Sequence, residues 1–324
     1  MRHLLLSAAL ITAASVHVAF AQAQSPRTPW GDPDLQGTWT SEGELSVPFE
    51  RPREFGVRQT MTDAEFAARR ATLQKQTDSD NSDFDLETAD RSNAGAVGSA
   101  TSPPPHWLER GKASRRTSML IEPADGRIPA MTDAGRNRLR ALRAGTFAGG
   151  AFNAGAQFKG PEDLSLWERC ITRGVPSAIF PTVYNANTRI VQAPGVVAIT
   201  YEMIHDTRLV YTDGRTHVGS SIRGYHGDSR GHWEGDTLVV DVTNFSPKSD
   251  YRGSGETLHL VERFTRTPSG LRYEVSVDDP QTWTGRWTAA LDMAAQPEAM
   301  FEYACHEGNN SMRNILSGAR AAER

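Results

Sequence analysis

Residues 196–244, VVAITYEMIHDTRLVYTDGRTHVGSSIRGYHGDSRGHWEGDTLVVDVTN, decide how this chain is read. Short apolar runs alternate with polar residues, and Asp213-Gly214 and Glu234-Gly235-Asp236 punctuate them as tight turns. The same texture surrounds the stretch. Strands are expected over 188–192, 196–205, 207–211, 237–244, 257–266, 271–278, 282–291 and 298–305. In 271–278 the alternation is strict: Leu271, Tyr273, Val275 and Val277 face one way, Arg272, Glu274, Ser276 and Asp278 the other. Short strands at regular spacing predict a mainly β fold, an antiparallel barrel or sandwich. Helices are confined to a small N-terminal cover.

The 324 residues carry a formal net charge of -4 and a pI near 6.2, with no extended basic footprint. Nucleic acid is therefore excluded as a partner. Residues 1–23 read as a signal peptide: a basic start, an interrupted apolar run and small-x-small sites ending at Ala21 and Ala23. No later run approaches the ~20 apolar residues that span a bilayer. The expected location is periplasmic or secreted. Cys170 and Cys305 are the only cysteines, and in an oxidising compartment they are most simply a disulfide. The alternative is a reactive Cys305 thiol beside His306.

Residues 24–169 are expected to supply a strand, helices and loops that pack on a β domain spanning 170–324. Thr62 and Glu65 are spaced as a capping box, opening a helix over 62–76. A polar stretch follows over 77–102 and reads as a loop. Its aspartates, Asp78, Asp80, Asp83 and Asp85, lack the glycine and terminal glutamate of a calcium-binding EF-hand. A strand at 118–121 and a basic helix over 132–143 complete this half. The Gly-rich residues 145–160 lack the Lys-Ser/Thr ending of a phosphate loop.

The opening stretch holds His205, His217, His226 and His232, with Asp206, Arg208, Asp213, Arg215, Asp228 and Asp236 among them. Strand phase sorts them. Val197, Ile199, Tyr201 and Met203 share a face, and continued extension would put His205 at the inner end of the strand. There it is either a core histidine or a general acid or base at a cavity mouth. Glu262 shares phase with Leu258, Leu260 and Phe264, and is expected to be buried and paired with Arg208 or Arg263. Asp241 interrupts Leu238–Val242 on a mixed face. Near the C-terminus, His306 and Glu307 follow Cys305; a disulfide would hold their backbone in place, and His306 could then face the same cavity as His205.

The expected catalytic groups are therefore His205 and His306, oriented by Asp206 or Glu307, working without a cofactor. Arg208 is expected to bind an anion. Tyr201, His217, Glu262, Trp283 and Trp287 complete the expected binding wall, the two tryptophans being core packing on the simpler reading. No HxH or HExxH spacing marks a metal site, and Gly227-Asp228-Ser229-Arg230-Gly231 is not a serine-nucleophile elbow.

The motifs YEMIHDTR, DGRTH, GDSRGHWEGDTLVVDVTNF, ERFTR, EYACHEGN and ILSGAR together resemble a family of exported bacterial proteins of unknown function, over about residues 170–321. That resemblance implies export and no particular activity. Gly37-Thr38-Trp39 resembles the opening strand of lipocalin-like barrels, and lipocalin-like hydratases and cyclases offer a looser analogy. The expected function is an exported enzyme acting on a small organic molecule by acid–base chemistry of lyase, hydratase, isomerase or hydrolase type. The alternatives are a periplasmic small-molecule binding protein and a metal-dependent enzyme.

Overall fold

The computed structural model describes residues 26–82, 108–143 and 158–323. Residues 1–23, read as a signal peptide, residues 83–102 of the polar stretch and most of the Gly-rich stretch lie outside the described residues.

The protein is a mainly β barrel. Among the described residues ten strands form one sheet: β1 (Gly37–Thr40), β2 (Leu120–Glu122), β3 (Asn187–Ala193), β4 (Val196–Tyr201), β5 (Thr207–Tyr211), β6 (Asp228–Glu234), β7 (Thr237–Thr243), β8 (His259–Thr267), β9 (Gly270–Asp278) and β10 (Trp287–Ala295). Their order is β1-β3-β4-β5-β6-β7-β8-β9-β10, and β1 also pairs with β10, which closes the wall. β2 pairs with β10 at Thr288 and Ala289, along the edge that β1 takes at Ala294 and Ala295. Thus two strands from the N-terminal half enter the wall itself.

Every neighbouring pair is antiparallel except one. β5 and β6 meet in parallel, at Tyr211 and Arg230 alone. A parallel neighbour needs a crossover connection. Residues 212–227 supply it, passing outside the wall before β6 begins. β6 was absent from the expected strands because Gly231 and its polar outward residues hide the alternation. Gly231 fits there without a side chain: a Cβ would press on Val210 of β5 and on Thr212 just beyond it.

The interior is built by alternation. Ile190, Ile199, Val210, Leu238, Val240, Leu260, Phe264, Val275, Leu291 and Met293 point inward and are buried. Val175 and Ile179, from the loop after Cys170, join the same core. Trp39 on β1 is buried with the Arg266 guanidinium 5.2 Å from its ring centroid.

Among the described residues three α-helices lie outside the wall: α1 (Asp63–Ser82), α2 (Asp133–Arg143) and α3 (Asn310–Ala322). The expected capping box is formed, with Glu65 N–H donating to Thr62 Oγ1 at 3.3 Å and Thr62 N–H to Glu65 Oε2 at 2.8 Å. α1 runs on to Ser82, into residues read as loop. α3 was not expected; its Asn309 cap accepts from Met312 N–H at 3.2 Å. Residues 298–305 form no strand. Cys170 and Cys305 are joined, with Cα atoms 5.8 Å apart. No cysteine is free, so the reactive-thiol alternative falls.

Candidate functional site

Inside the barrel, near the β4–β5 turn, the apolar core gives way to a polar layer. Arg208 on β5 donates through Nη1 and Nη2 to Glu262 on β8, at 2.6 and 2.8 Å. Tyr273 on β9 donates to Glu262 Oε1 at 2.8 Å. Both charges are sealed in, Arg208 at 4% exposure and Glu262 at 0%. A buried charge persists only when paired and hydrogen-bonded, and this fork-to-carboxylate geometry supplies both conditions. Burial works against the charge on Arg208, but the Glu262 charge and hydrogen bonds together with Tyr201 and Tyr273 outweigh it, holding the guanidinium above its usual value. Burial, then the Glu262 charge, holds the Tyr273 phenol well above its usual range. Tyr201 lies in the same layer beside Arg208, without a hydrogen bond of normal geometry for its phenol.

The layer reaches solvent where β5 and β6 splay from their single point of pairing. A cleft of about 400 Å³ opens there, lined by Thr172, Asp206, Arg208, His226, Asp228 and Ser229 among others. His226 Nε2 lies 2.8 Å from Asp206 Oδ2 and 2.7 Å from Thr172 Oγ1. The Thr172 hydroxyl bonds the ring at Nε2, while Asp206 Oδ2 has no hydrogen bond of normal geometry and faces the ring as a charge. Burial raises Asp206, but His226, the Thr172 hydroxyl and the Thr207 backbone together outweigh it, and the carboxyl sits below its usual range. The Tyr201 ring meets His226 edge-on at 6.1 Å.

Local backbone places each member. Asp206 follows a tight turn in which Ile204 and His205 both have positive φ, 70° and 48°. A β-branched residue there is strained, and Tyr201 N–H to Asp206 C=O, 2.8 Å, helps to close the turn. His226 is followed by Gly227, at φ 69°, where a Cβ would collide with the Thr243 carbonyl. Only glycine lets the chain pass between His226 and Asp228. Thr172 stands two residues after Cys170, so the disulfide anchors the segment that brings its hydroxyl to His226.

The residues expected from sequence divide between these places. Asp206 lines the cleft and Arg208 its inner wall, but the Arg208 charge is taken by Glu262 rather than left for an anion. Tyr201 and Glu262 belong to the interior layer. His205 is exposed: the strand ends at Tyr201, and the turn breaks the phase that would have carried His205 inward. Its Nδ1 lies 2.9 Å from the Tyr303 carbonyl, so the disulfide-bound segment does come to it. His306 and Glu307 are exposed, and neither they nor His205 line this cleft. Trp283 and Trp287 are buried in the core, edge to face at 5.8 Å, Trp283 in the turn before β10. His217 lies outside the wall, with Nδ1 2.7 Å from Asp228 Oδ2 and Nε2 2.8 Å from Asp241 Oδ1.

Sequence reasoning noted His226 but gave it no role, because it sits in a turn without phase. Thr172 carried no signal at all, since its proximity depends on the disulfide. A second cleft of about 400 Å³ flanks the disulfide, lined by Trp167, Tyr184, Tyr303, Met312 and Ile315 among others, with no histidine. Among the described residues, no group of three or more His, Cys, Asp or Glu is arranged to hold a metal, and no helix is long and apolar enough to cross a membrane. Comparison with protein-family models, curated proteins and solved structures gave no match.

Proposed function

We propose that this chain is an exported enzyme that transforms a small organic molecule by acid–base chemistry in the cleft between β5 and β6. The observation that carries this reading is His226, held at 2.8 Å from Asp206 and 2.7 Å from Thr172 on the wall of that cleft. A histidine oriented through one nitrogen keeps the other for proton transfer. The Thr172 hydroxyl orients the ring, and the Asp206 charge supports the imidazolium when it forms. The chemistry is elimination, hydration, isomerisation or hydrolysis. The disulfide is consistent with an oxidising, extracytoplasmic compartment.

The charge of the cleft narrows the substrate. Its buried cation is neutralised by Glu262, and its carboxylates are paired too, Asp228 with Arg230 at 2.8 Å and Asp206 with His226 at 2.8 Å. With no charge left over, such a site favours an uncharged molecule bearing hydroxyl or amine groups over a carboxylate. The test is a screen of small polyols, sugars, hydroxylactones, amino alcohols and matched carboxylic acids, followed by proton NMR in D2O. Conversion or deuterium uptake by a hydroxyl- or amine-bearing compound supports the reading. Saturable binding without turnover would replace it with a periplasmic binding protein.

A further inference from the structure

The crossover 212–227 carries His226 and Gly227 to the cleft, and its first half is tied to the wall by the His217 side chain, beside the Thr212 N–H bond to the Gly195 carbonyl at 2.9 Å and the Arg215 guanidinium 4.1 Å from the Tyr211 ring centroid. His217 projects onto the outer face of the barrel, between strands β6 and β7. Its two nitrogens meet two different carboxylates, Asp228 Oδ2 at 2.7 Å and Asp241 Oδ1 at 2.8 Å. Both carboxylates point away from the core, Asp228 and Asp241 having inward-facing neighbours in Ser229, Val240 and Val242. The other groups facing this bridge are charged or titratable too. Arg230 Nη2 is 2.8 Å from Asp228 Oδ1, and His259 Nε2 on β8 is 2.7 Å from Asp241 Oδ2. The Val218 N–H also donates to Asp228 Oδ2, at 3.1 Å.

A neutral imidazole has one N–H, whereas two carboxylate partners call for two. The proton must be supplied, and an imidazolium supplies it while placing a positive charge between two negative ones. Downstream of His217 the crossover has further ties: Asn244 Nδ2 donates to the Val218 carbonyl at 3.0 Å, and Gly224 N–H to the Asn244 carbonyl at 3.1 Å. Asp228 belongs to both assemblies, since it lines the cleft and receives His217.

We propose that His217 is a positioning residue, a proton-dependent clasp. As an imidazolium across Asp228 and Asp241 it fastens the crossover to the wall and holds His226 and Asp228 in place at the cleft. Loss of its proton removes one of the two bonds and loosens the crossover. The clasp stands on its own geometry; only its consequence for proton transfer rests on the function proposed above.

The test is backbone hydrogen–deuterium exchange on the full mature chain, read across 213–227 at several pH values and corrected for intrinsic rates. His217→Gln keeps a side chain of similar reach but cannot be a cation. The expected result is exchange faster by on the order of tenfold across the crossover, with Val240, Val242 and Leu260 unchanged. In the unsubstituted chain, protection of the crossover falls as pH is raised, and in His217→Gln this pH profile is absent. If the strand amides also lose protection, Asp241→Asn, which keeps the wall intact, is read in the same way. Unchanged crossover exchange in these variants overturns the clasp. A flat pH profile in the unsubstituted chain overturns it as well. No ligand is needed, so failure here is separate from failure of the substrate screen.

Discussion

Arg208 and Glu262 face each other across the barrel interior with both guanidinium Nη atoms on both carboxylate oxygens, at 2.6 and 2.8 Å. The two residues come from strands that are not neighbours, so the pair spans the lumen where other levels are filled by Val, Leu and Phe. Removing one partner leaves a buried charge alone. Glu262→Ala is expected to lower stability by about 3–5 kcal/mol, read from urea unfolding. Replacing both, as Arg208→Met with Glu262→Leu, is expected to recover most of that loss. Equal destabilisation by the single and double variants would show that the pair adds nothing beyond packing.

Three buried phenols set the alkaline limit. Burial pushes Tyr251 up to about 12 from 10.0, partly offset by Arg252. Tyr201 and Tyr273 are also raised, first by burial. A raised folded value means stability is complete below the unfolded value, here 10.0, and is lost as pH climbs toward the folded values. The expected slope is about 1.4 kcal/mol per pH unit for each tyrosine. Unfolding midpoints between about pH 9 and 12 check it, and Tyr251→Phe is expected to reduce the slope by one tyrosine's share.

Asp206 sets part of the acid limit. Its carboxyl is lowered despite burial, because His226, Thr172 and Thr207 together outweigh that burial. A lowered folded value contributes stability above the unfolded value of 3.8, lost as pH falls through the folded one. In His226→Gln, burial remains and the charge is gone. The Asp206 carboxyl is then expected to titrate at higher pH, followed by carboxyl-carbon NMR. An unmoved titration would separate Asp206 from His226.

The disulfide closes a separation of 135 residues. Cys170→Ser with Cys305→Ser is expected to lower stability by about 2–5 kcal/mol, measured by chemical denaturation. Because Thr172 follows Cys170, the His226 ring resonances are expected to shift in the same variant.

Much of the fold was legible because barrel strands obey a period of two. Leu271–Val277 fixed an inward face from sequence alone, and the same phase correctly buried Glu262 and offered Arg208 as its partner. Phase fails where the backbone leaves the strand. His205 was carried inward on the rhythm of Val197–Met203, but positive φ at Ile204 and His205 turns the chain first. β6 was hidden by Gly231, whose value lies in close approach to β5 rather than in a side chain. The site was legible only in part for a related reason. Asp206 and Arg208 lie at strand ends, where periodicity still reaches. His226 sits in a crossover, and Thr172 arrives through a cross-link, and neither relation is periodic.

The central claim is that proton transfer belongs to His226 in the cleft between β5 and β6, and not to the exposed His205 and His306. The most direct measurement is kcat for a substrate found in the screen, compared for the unsubstituted chain, His226→Gln and His205→Ala, with unfolding midpoints measured alongside. The expected result is a fall of at least about 100-fold in His226→Gln while the fold is retained, and a small change in His205→Ala. A His226→Gln protein that turns over at the unsubstituted rate, or a loss confined to His205→Ala, would contradict the account.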